Sequence, residues 1–345
     1  MDANKVVPDV PLPSRAAESW TFEESTKIDE YLFCLKNVKL FNDDKKEVNK
    51  KYGKYYLAEY NPLYWHFLHE DLAGYEGLRK VYPDLKLGLI DSQQVMVDAT
   101  TVNEGWKHLP YIEYFAKLYA IEEQFLSTEN YEFEEVYYTP SSGLLFSEAE
   151  FWGDNEMPVS VWRHEGYQEW DASTWDRRSL YALSGMNALT QKLYENISVD
   201  YSLPKKIFIS RRDVNARLKE HVGKPEYEHL VEERLYEGDF LEEYFAERGY
   251  EIIALEEYSY EKQMQFFMTA SHVAGTVGAG FSNLHMSQPS TKLIELHVLP
   301  TYGFDYGYYK NFRAIDYCPV ELRNLQENRT LNQEEMLEVL NGISI

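Results

Sequence analysis

Two stretches in the second half of the chain carry residue types that bind phosphate. Residues 206–212, Lys-Ile-Phe-Ile-Ser-Arg-Arg, predict a short buried strand that ends at a hydroxyl and two guanidinium groups. Residues 272–283 predict another buried strand that runs into a turn containing Gly275, Gly278 and Gly280, where a helix then begins. A strand, a glycine turn and a helix N-terminus present backbone N–H groups and a positive dipole end to a phosphate. Because arginines are bidentate donors, these stretches together predict a nucleotide-diphosphate site.

A second group of reactive side chains lies in the first half, on a helix whose start is indicated by Asn61-Pro62. His66, His69 and Glu70 fall at positions i, i+3 and i+4 and therefore share one helix face. Two histidines and a glutamate on one turn could bind zinc. The order His-x-x-His-Glu differs from the order in zinc hydrolases, and no further ligand cluster accompanies it, so we expect no metal. Ordinary helix histidines and a solvated acid are the plain alternative.

Composition and charge restrict the classes of function. The 345 residues suffice for two domains, and a content of 44% apolar and 27% charged residues is typical of a soluble globular protein. No apolar run approaches the length of a membrane span. The formal net charge of −24 argues against a nucleic-acid partner, so a phosphate site requires a local basic cluster. The densest such cluster, which could also be a solvated charge run, comprises Lys205, Lys206, Arg211, Arg212 and Arg217.

Cysteine usage and the N-terminal residues favour a cytoplasmic protein. Cys34 and Cys318 lie far apart in the sequence and show no metal-ligand spacing. Residues 1–15 contain no hydrophobic segment of the kind found in secretory signals. We therefore expect a reducing compartment and a cytoplasmic location.

Strands and helices alternate in the second half and would position the phosphate-binding residues. Predicted strands cover residues 206–209, 250–255, 272–275 and 293–298, and predicted helices cover 228–248, 259–270 and 279–286. This alternation predicts a parallel sheet with helices on both faces, which binds ligands at the carboxyl ends of its strands. Glu295, near the end of the last of these strands, is expected to bind a ribose diol there.

The first half predicts a separate α/β domain. Predicted strands cover residues 31–41, 55–58, 85–90 and 131–138, and long loops cover 141–175. Predicted helices run from Pro62 to an end or break at Gly74, through a second stretch that contains Leu78 and Val81, and over residues 106–125 and 179–193. The last helix is expected to cross between domains. We place the domains at 1–185 and 186–320, with a tail at 321–345 that carries a short helix over 333–340.

Several of these residues together resemble glycosyltransferase family 61. The second half carries Ile209-Ser210-Arg211, then Glu257 and Gln263, then Gly275-x-x-Gly278-Ala279-Gly280-x-x-Asn283, and finally Leu-Ile-Glu-Leu at 293–296. The first half carries Asn61 and, at 64–70, Tyr-Trp-His-Phe-Leu-His-Glu. The similarity covers roughly residues 60–300. Two departures are Val277, where the family commonly has a histidine, and an arginine-asparagine-glutamate element matched only by Arg234 and Glu237.

The resemblance implies a fold, an activity and a set of site residues. The implied fold is α/β of the GT-B type, with two Rossmann-like domains facing an interdomain cleft. The family includes protein O-linked N-acetylglucosaminyltransferases and xylan-modifying transferases, so the implied partners are a UDP-sugar donor and a glycan or glycoprotein acceptor. Transfer in the family inverts the anomeric centre without a metal, and no cofactor is expected. By position, the implied donor-binding residues are Ser210, Arg211, Arg212, Glu257, Gln263, Gly278, Ala279, Gly280, Phe281, Ser282, Asn283 and Glu295.

Inverting transfer needs a base for the acceptor hydroxyl and positive charge on the departing diphosphate. We assign Glu70 as the base, Asp71 as the second candidate, and His66 as the group that orients the acceptor or the base. Arg211, with Arg212 as second choice, is expected to neutralise the diphosphate.

Two other function classes remain open from the sequence. A nicotinamide-dependent oxidoreductase would use the glycine turn and Glu295, but the turn follows the third strand of its domain, and Arg211 and Arg212 stay unexplained. A catalytically silent protein of the same fold that binds UDP or carbohydrate is favoured by Val277.

Overall fold

The structure is a computed structural model that describes part of the chain. The described residues are 20–21, 23–29, 32–40, 47–59, 67–91, 110–119, 124–126, 129–138, 180–225, 228, 231, 235–236, 238–298, 313–324, 326–327 and 329–343. The described residues up to Lys192 form one compact unit, and those from Leu193 onward form a second. None of the described helices is long and apolar enough to cross a membrane.

The first unit contains a mixed sheet in the order β1-β3-β7-β4-β5-β6, with β2 paired to β3. Pairing is parallel among β7, β4, β5 and β6, and antiparallel among β1, β2, β3 and β7. The strands are β1 (Trp20–Thr21), β2 (Glu24–Asp29), β3 (Leu32–Leu40), β4 (Val48–Glu59), β5 (Lys86–Asp91), β6 (Gln124–Leu126) and β7 (Asn130–Tyr138). The predicted strands over 31–41, 55–58, 85–90 and 131–138 are therefore confirmed, although β4 is longer than expected.

The helices of the first unit differ from the prediction in two places. They are a π-helix (Phe67–Leu72), α1 (Ala73–Arg79), α2 (Pro110–Leu118) and α3 (Leu180–Asn196). Gly74 lies inside α1, so the predicted break there is wrong. The helix predicted over 106–125 is also wrong at its C-terminal end, and its first residues, 106–109, lie outside the described part of the chain. Helix α2 ends at Leu118, and Phe125 pairs with Ile90 in the sheet.

Helix α3 packs closely on α1 because Gly185 has no side chain. A Cβ atom at Gly185 would overlap the Ala73 carbonyl group and approach the Gly77 nitrogen to 2.8 Å. The buried Glu76 carboxylate lies beside two cations here, 3.3 Å from Arg79 Nη1 and 3.7 Å from Lys192 Nζ. These contacts fix α1, which continues directly from the π-helix.

The second unit contains a five-stranded sheet in the order β12-β11-β10-β8-β9. Every neighbouring pair is parallel, as the alternation of strands and helices predicted. The strands are β8 (Lys206–Ile209), β9 (Glu251–Ile253), β10 (His272–Thr276), β11 (Lys292–His297) and β12 (Asp316–Glu321). A two-stranded antiparallel pair follows, formed by β13 (Arg323–Asn324) and β14 (Arg329–Thr330).

Besides the end of α3 and the isolated helical residues Glu228, Val231 and Arg313, the described part of the second unit contains four α-helices. They are α4 (Arg212–Lys219), α5 (Asp239–Ala246), α6 (Tyr260–Thr269) and α7 (Gln333–Asn341). Two 3₁₀-helices, Leu255–Glu257 and Ala279–Met286, follow β9 and β10. The single helix predicted over 228–248 is wrong in its middle: Glu228 and Val231 are helical, but residues 235, 236 and 238 are not, and Gly238 is the N-cap of α5. A Cβ at Gly238 would fall within 2.9 Å of Tyr236 Cδ2.

Apolar side chains cover both faces of the parallel sheet. On one face, Phe208 and Ala274 share a core with Phe245 of α5 and Leu340 of α7. On the other face, a Cβ at Gly275 would lie 3.2 Å from Cζ of Phe281, in the second 3₁₀-helix. The predicted α/β class, with helices on both faces of a parallel sheet, is thus confirmed for the second unit.

Candidate functional site

The carboxyl edge of the parallel sheet brings together the segments that follow β8, β9 and β10. Ser210, directly after β8, donates its backbone N–H to the Ile253 carbonyl at the end of β9 (2.9 Å). Val277, directly after β10, donates its N–H to the Leu296 carbonyl of β11 (3.4 Å). The hydroxyl, the arginines and the glycine turn therefore follow neighbouring strands at one edge, as predicted from the sequence.

Arg211 lies against the glycine turn. Its Nη1 donates to the Val277 carbonyl at 2.7 Å, and a Cβ at Gly278 would lie 3.8 Å from Arg211 Cδ. The side chain is partly exposed, and this is its one hydrogen bond among the described residues. A guanidinium group has five N–H donors and keeps its charge at any physiological pH. Arg211 can therefore bind the turn and an anion at the same time.

The glycine turn combines one tightly packed glycine with accessible backbone. Gly275 has a φ of +158°, and a Cβ there would approach the Ile209 carbonyl oxygen to 3.0 Å, so both backbone and space demand glycine. Gly278 and Gly280 are half-buried and Ala279 is exposed. The described residues provide no backbone acceptor for the N–H groups of these three residues, which are available to a ligand.

The residues after the turn face inward. The Phe281 N–H donates to the Gly278 carbonyl at 3.0 Å, so this amide is used within the protein. Phe281, Ser282 and Asn283 are buried. The sequence predicts that these residues bind the donor, whereas the structure places their side chains in the packing that supports the turn. The predicted helix after the turn is a 3₁₀-helix, Ala279–Met286.

Ser210 and Arg212 share a hydrogen bond within the site. Ser210 is 4% exposed, and its Oγ donates to the Glu242 carboxylate of α5. The same Oγ accepts the backbone N–H of Arg212, the first residue of α4, at 3.2 Å. The expected contact of the Ser210 hydroxyl with a diphosphate is therefore replaced by an internal one. The Arg212 residue is exposed.

The segment after β9 carries three more residues of interest. Gln263 Nε2 donates to the carbonyls of Leu255 (2.8 Å) and Tyr258 (3.1 Å), so it fixes the turn that carries the exposed Glu257. In the same turn, Glu256 is exposed, but partial desolvation of its carboxylate by neighbouring atoms and the nearby Asp213 raise its pKa above the usual value. Gln263 is thus a support for this turn, and Glu257 is the residue that a ligand can reach.

Glu295, a predicted site residue, is buried in the sheet and is not accessible at the edge that a ligand can reach. Its side chain is fully buried, and it lies opposite Gly275 in the middle of the sheet. Its Oε2 accepts the Tyr317 hydroxyl at 2.8 Å and lies 3.8 Å from His297 Nε2. That Glu295 binds a ribose stays a prediction, and in this structure the carboxylate is enclosed by the protein.

The catalytic candidates of the first half are described only in part. Glu70 and Asp71 belong to the π-helix Phe67–Leu72, and the structure describes their backbone but not their side chains. His66 and the start of its helix lie outside the described residues, as does the side chain of His69. The zinc alternative therefore lies outside them too. π-Helical turns inside α-helical segments occur frequently at functional sites.

Sequence reasoning missed Glu242 and the pair formed by Glu256 and Asp213. Glu242 is 32 positions from its partner Ser210, and no local pattern links the two. Glu256 and Asp213 lie on segments that follow β9 and β8. Only the order of the strands in the sheet makes these segments neighbours.

Comparisons with known proteins give one family match. A family model described as Glycosyltransferase 61 matches residues 64–294, which are 231 of the 345 residues. No curated protein matches the chain. Among solved structures, the chain is similar to the E. coli heptosyltransferase WaaC with ADP, at 13% identity and a TM-score of 0.34, over 84% of this chain and 99% of that chain.

Proposed function

Because the chain belongs to glycosyltransferase family 61 and is a glycosyltransferase, we propose that it transfers a sugar from a UDP-sugar to a hydroxyl group. The acceptor is a glycan or a glycoprotein, and the transferred sugar is xylose or N-acetylglucosamine. Transfer inverts the anomeric centre and needs no metal. The family implies the donor and acceptor, whereas the identity of the nucleotide and the stereochemistry are part of the proposal.

The contact of Arg211 with the glycine turn is the observation that carries the proposal. Arg211 Nη1 is held 2.7 Å from the Val277 carbonyl, next to the accessible N–H groups of Gly278, Ala279 and Gly280. A fixed guanidinium beside free backbone N–H groups is a site for two adjacent phosphates. Because the chain has a net charge of −24, its surroundings repel anions, so a diphosphate is held only at a local site of this kind.

The proposed mechanism divides the work between the two halves of the chain. Glu70 takes the proton of the acceptor hydroxyl as its oxygen attacks the anomeric carbon, and the bond to the diphosphate oxygen breaks on the opposite side. Arg211 and the turn amides stabilise the negative charge that develops on the leaving diphosphate. Asp71 is the second candidate for the base, and His66 orients the acceptor or Glu70.

Glu70 is supported as the base by its place in the π-helix. The flanking residues Phe67, Leu68 and Leu72 are buried, so they anchor this segment in the first unit. Helix α1, which follows the π-helix directly, is anchored by its close contact with Gly185 and by the ion pair of Glu76 with Lys192. A base carried on an anchored helical segment keeps a fixed position, which proton transfer requires.

Val277 is the observation that favours a second candidate, a silent UDP- or carbohydrate-binding protein of this family. Its side chain is 5% exposed, and its carbonyl and N–H bond to Arg211 and Leu296. A family histidine at this position would add an ionisable group that valine does not supply. The oxidoreductase alternative, in contrast, loses its ribose-binding acid because Glu295 is enclosed.

A ligand screen followed by a transfer assay tests the proposal. We expect UDP to raise the melting temperature of the purified protein, and NAD to leave it unchanged. With a panel of UDP-sugars and hydroxyl acceptors, we expect a product whose anomeric configuration, read by proton NMR, is opposite to that of the donor. Binding of NAD without UDP would overturn the proposal. Binding of UDP without hydrolysis or transfer of any donor would favour the silent protein.

A further inference from the structure

Glu242 is joined to the proposed donor site through a buried serine. Ser210 directly follows β8, and its N–H donates to the Ile253 carbonyl at the end of β9. Its hydroxyl donates to Oε1 of Glu242, which is half-buried in the first turn of α5. Because Ser210 is 4% exposed, this hydroxyl has a protein partner rather than solvent. The carboxylate therefore fixes the rotation of the hydroxyl.

The fixed hydroxyl in turn holds the start of α4. Its oxygen accepts the N–H of Arg212 at 3.2 Å, and the N-cap residue Arg211 makes no side-chain capping bond of its own. A hydroxyl that bonds to a backbone N–H two residues later closes a local turn. Arg211 lies inside this turn, between the serine and the bonded amide. The direction in which its guanidinium leaves the backbone therefore depends on the bonded state of Ser210.

We propose that Glu242 is a positioning residue that acts through Ser210 to hold Arg211 and the first turn of α4 in place for a nucleoside diphosphate. This inference rests on the proposed function, since it needs a donor at Arg211. Glu242 does not touch the ligand in this account. The negative charge of Glu242 repels the diphosphate. Its favourable contribution to binding therefore comes from the hydrogen bond to Ser210 and not from its charge.

The hydrogen bond and the charge are separated by two substitutions. Glu242→Gln keeps an oxygen that accepts from Ser210 and removes the charge, whereas Glu242→Ala removes both. Ser210→Ala removes the hydroxyl itself. Glu243→Ala is the matched control, because Glu243 is the next residue of α5 and is exposed.

The test is a UDP titration by calorimetry on the full chain, at a temperature where every variant is folded. We expect Glu242→Ala and Ser210→Ala each to weaken UDP binding by about three- to tenfold, the effect of one ordinary hydrogen bond. The double variant should bind UDP about as well as either single variant, since both remove the same chain of bonds. Glu242→Gln should recover most of the affinity, and Glu243→Ala should match the wild type.

Three outcomes would overturn the inference. They are a Glu242→Ala affinity equal to that of Glu243→Ala, a Glu242→Gln variant as weak as Glu242→Ala, and additive losses in the double variant. If Glu242→Ala fails to fold, the UDP affinities of Ser210→Ala and Glu242→Gln test the inference in its place: we expect a loss in the first and near wild-type affinity in the second. Failure of the wild type to bind UDP overturns the proposed function itself, whereas wild-type binding that Glu242→Ala leaves intact overturns only the role of Glu242.

Discussion

Replacing Arg211 with alanine is the perturbation whose effect follows most directly from the structure. The guanidinium donates one hydrogen bond to Val277 and keeps further N–H groups for a diphosphate. Loss of a hydrogen bond to a charged group costs about 1.5–3 kcal/mol. We therefore expect Arg211→Ala to weaken UDP binding by roughly 10- to 150-fold, since about 1.4 kcal/mol corresponds to a factor of ten.

The conservative variant and a control distinguish charge from geometry. Arg211→Lys keeps the charge but loses the planar fork, so we expect a loss of UDP affinity smaller than that of alanine. Arg248→Ala is a matched control: Arg248 Nη1 also donates to a backbone carbonyl, that of Tyr244 at 2.9 Å, but it precedes β9 at the amino edge of the sheet.

Isothermal titration calorimetry with UDP, at one fixed ionic strength, is the assay. Ionic strength matters because charge-assisted binding is screened by salt. A thermal unfolding curve for each variant shows that the comparison is made between folded proteins. Unaltered UDP affinity in Arg211→Ala, or an equal loss in Arg248→Ala, would refute the reasoning.

Three further predictions concern the base, the turn and the acidic pair. Glu70→Gln should abolish sugar transfer and leave UDP affinity nearly unchanged, because a base contacts the acceptor and not the diphosphate. Gly275→Ala should lower the free energy of unfolding, measured with urea, by about 1–3 kcal/mol, because its φ of +158° and the Ile209 carbonyl at 3.0 Å leave no place for a Cβ. Partial desolvation and Asp213 raise the pKa of Glu256 in the folded state, so the folded protein binds this proton more tightly than the unfolded chain does. The free energy of unfolding should therefore fall as the pH rises from the ordinary carboxyl range through the raised pKa, and Glu256→Gln should remove that part of the decrease.

Each of these predictions has a contradicting result. Full transfer activity in Glu70→Gln would exclude Glu70 as the base, and Asp71→Asn would then be tested in the same way. A Gly275→Ala variant with wild-type stability would mean that the turn tolerates a Cβ; Gly223→Ala, where no atom lies within 4 Å of the added Cβ, is the control for backbone strain alone. A pH profile that Glu256→Gln leaves unchanged would exclude Glu256 as the titrating group.

The strands of the second unit were predictable because their apolar character is continuous. Residues 207–209 and 293–294 are apolar and fully or almost fully buried, so their sequences form short apolar runs without alternation. The helix α4 was missed for the opposite reason. Only Asn215 and Leu218 of its eight residues are buried, so a charged segment shows too few apolar positions for a helical period.

The sequence predicts which edge of the sheet carries the site, but it does not predict the directions of the side chains there. A strand followed by Arg211 and a strand followed by glycines indicate where two segments end, and parallel pairing then makes them neighbours. Whether a residue such as Glu295 faces a ligand or the interior depends on what covers each face of the sheet. That cover comes from distant segments, such as the 3₁₀-helix after the turn, and sequence spacing alone does not reveal it.

An experimental structure of the protein with UDP bound tests the central claim most directly. We expect the diphosphate to lie at the carboxyl edge of the parallel sheet, within hydrogen-bond distance of the Arg211 guanidinium and of the N–H groups of Gly278, Ala279 and Gly280. A diphosphate bound away from Arg211, or at another edge of the sheet, would contradict it.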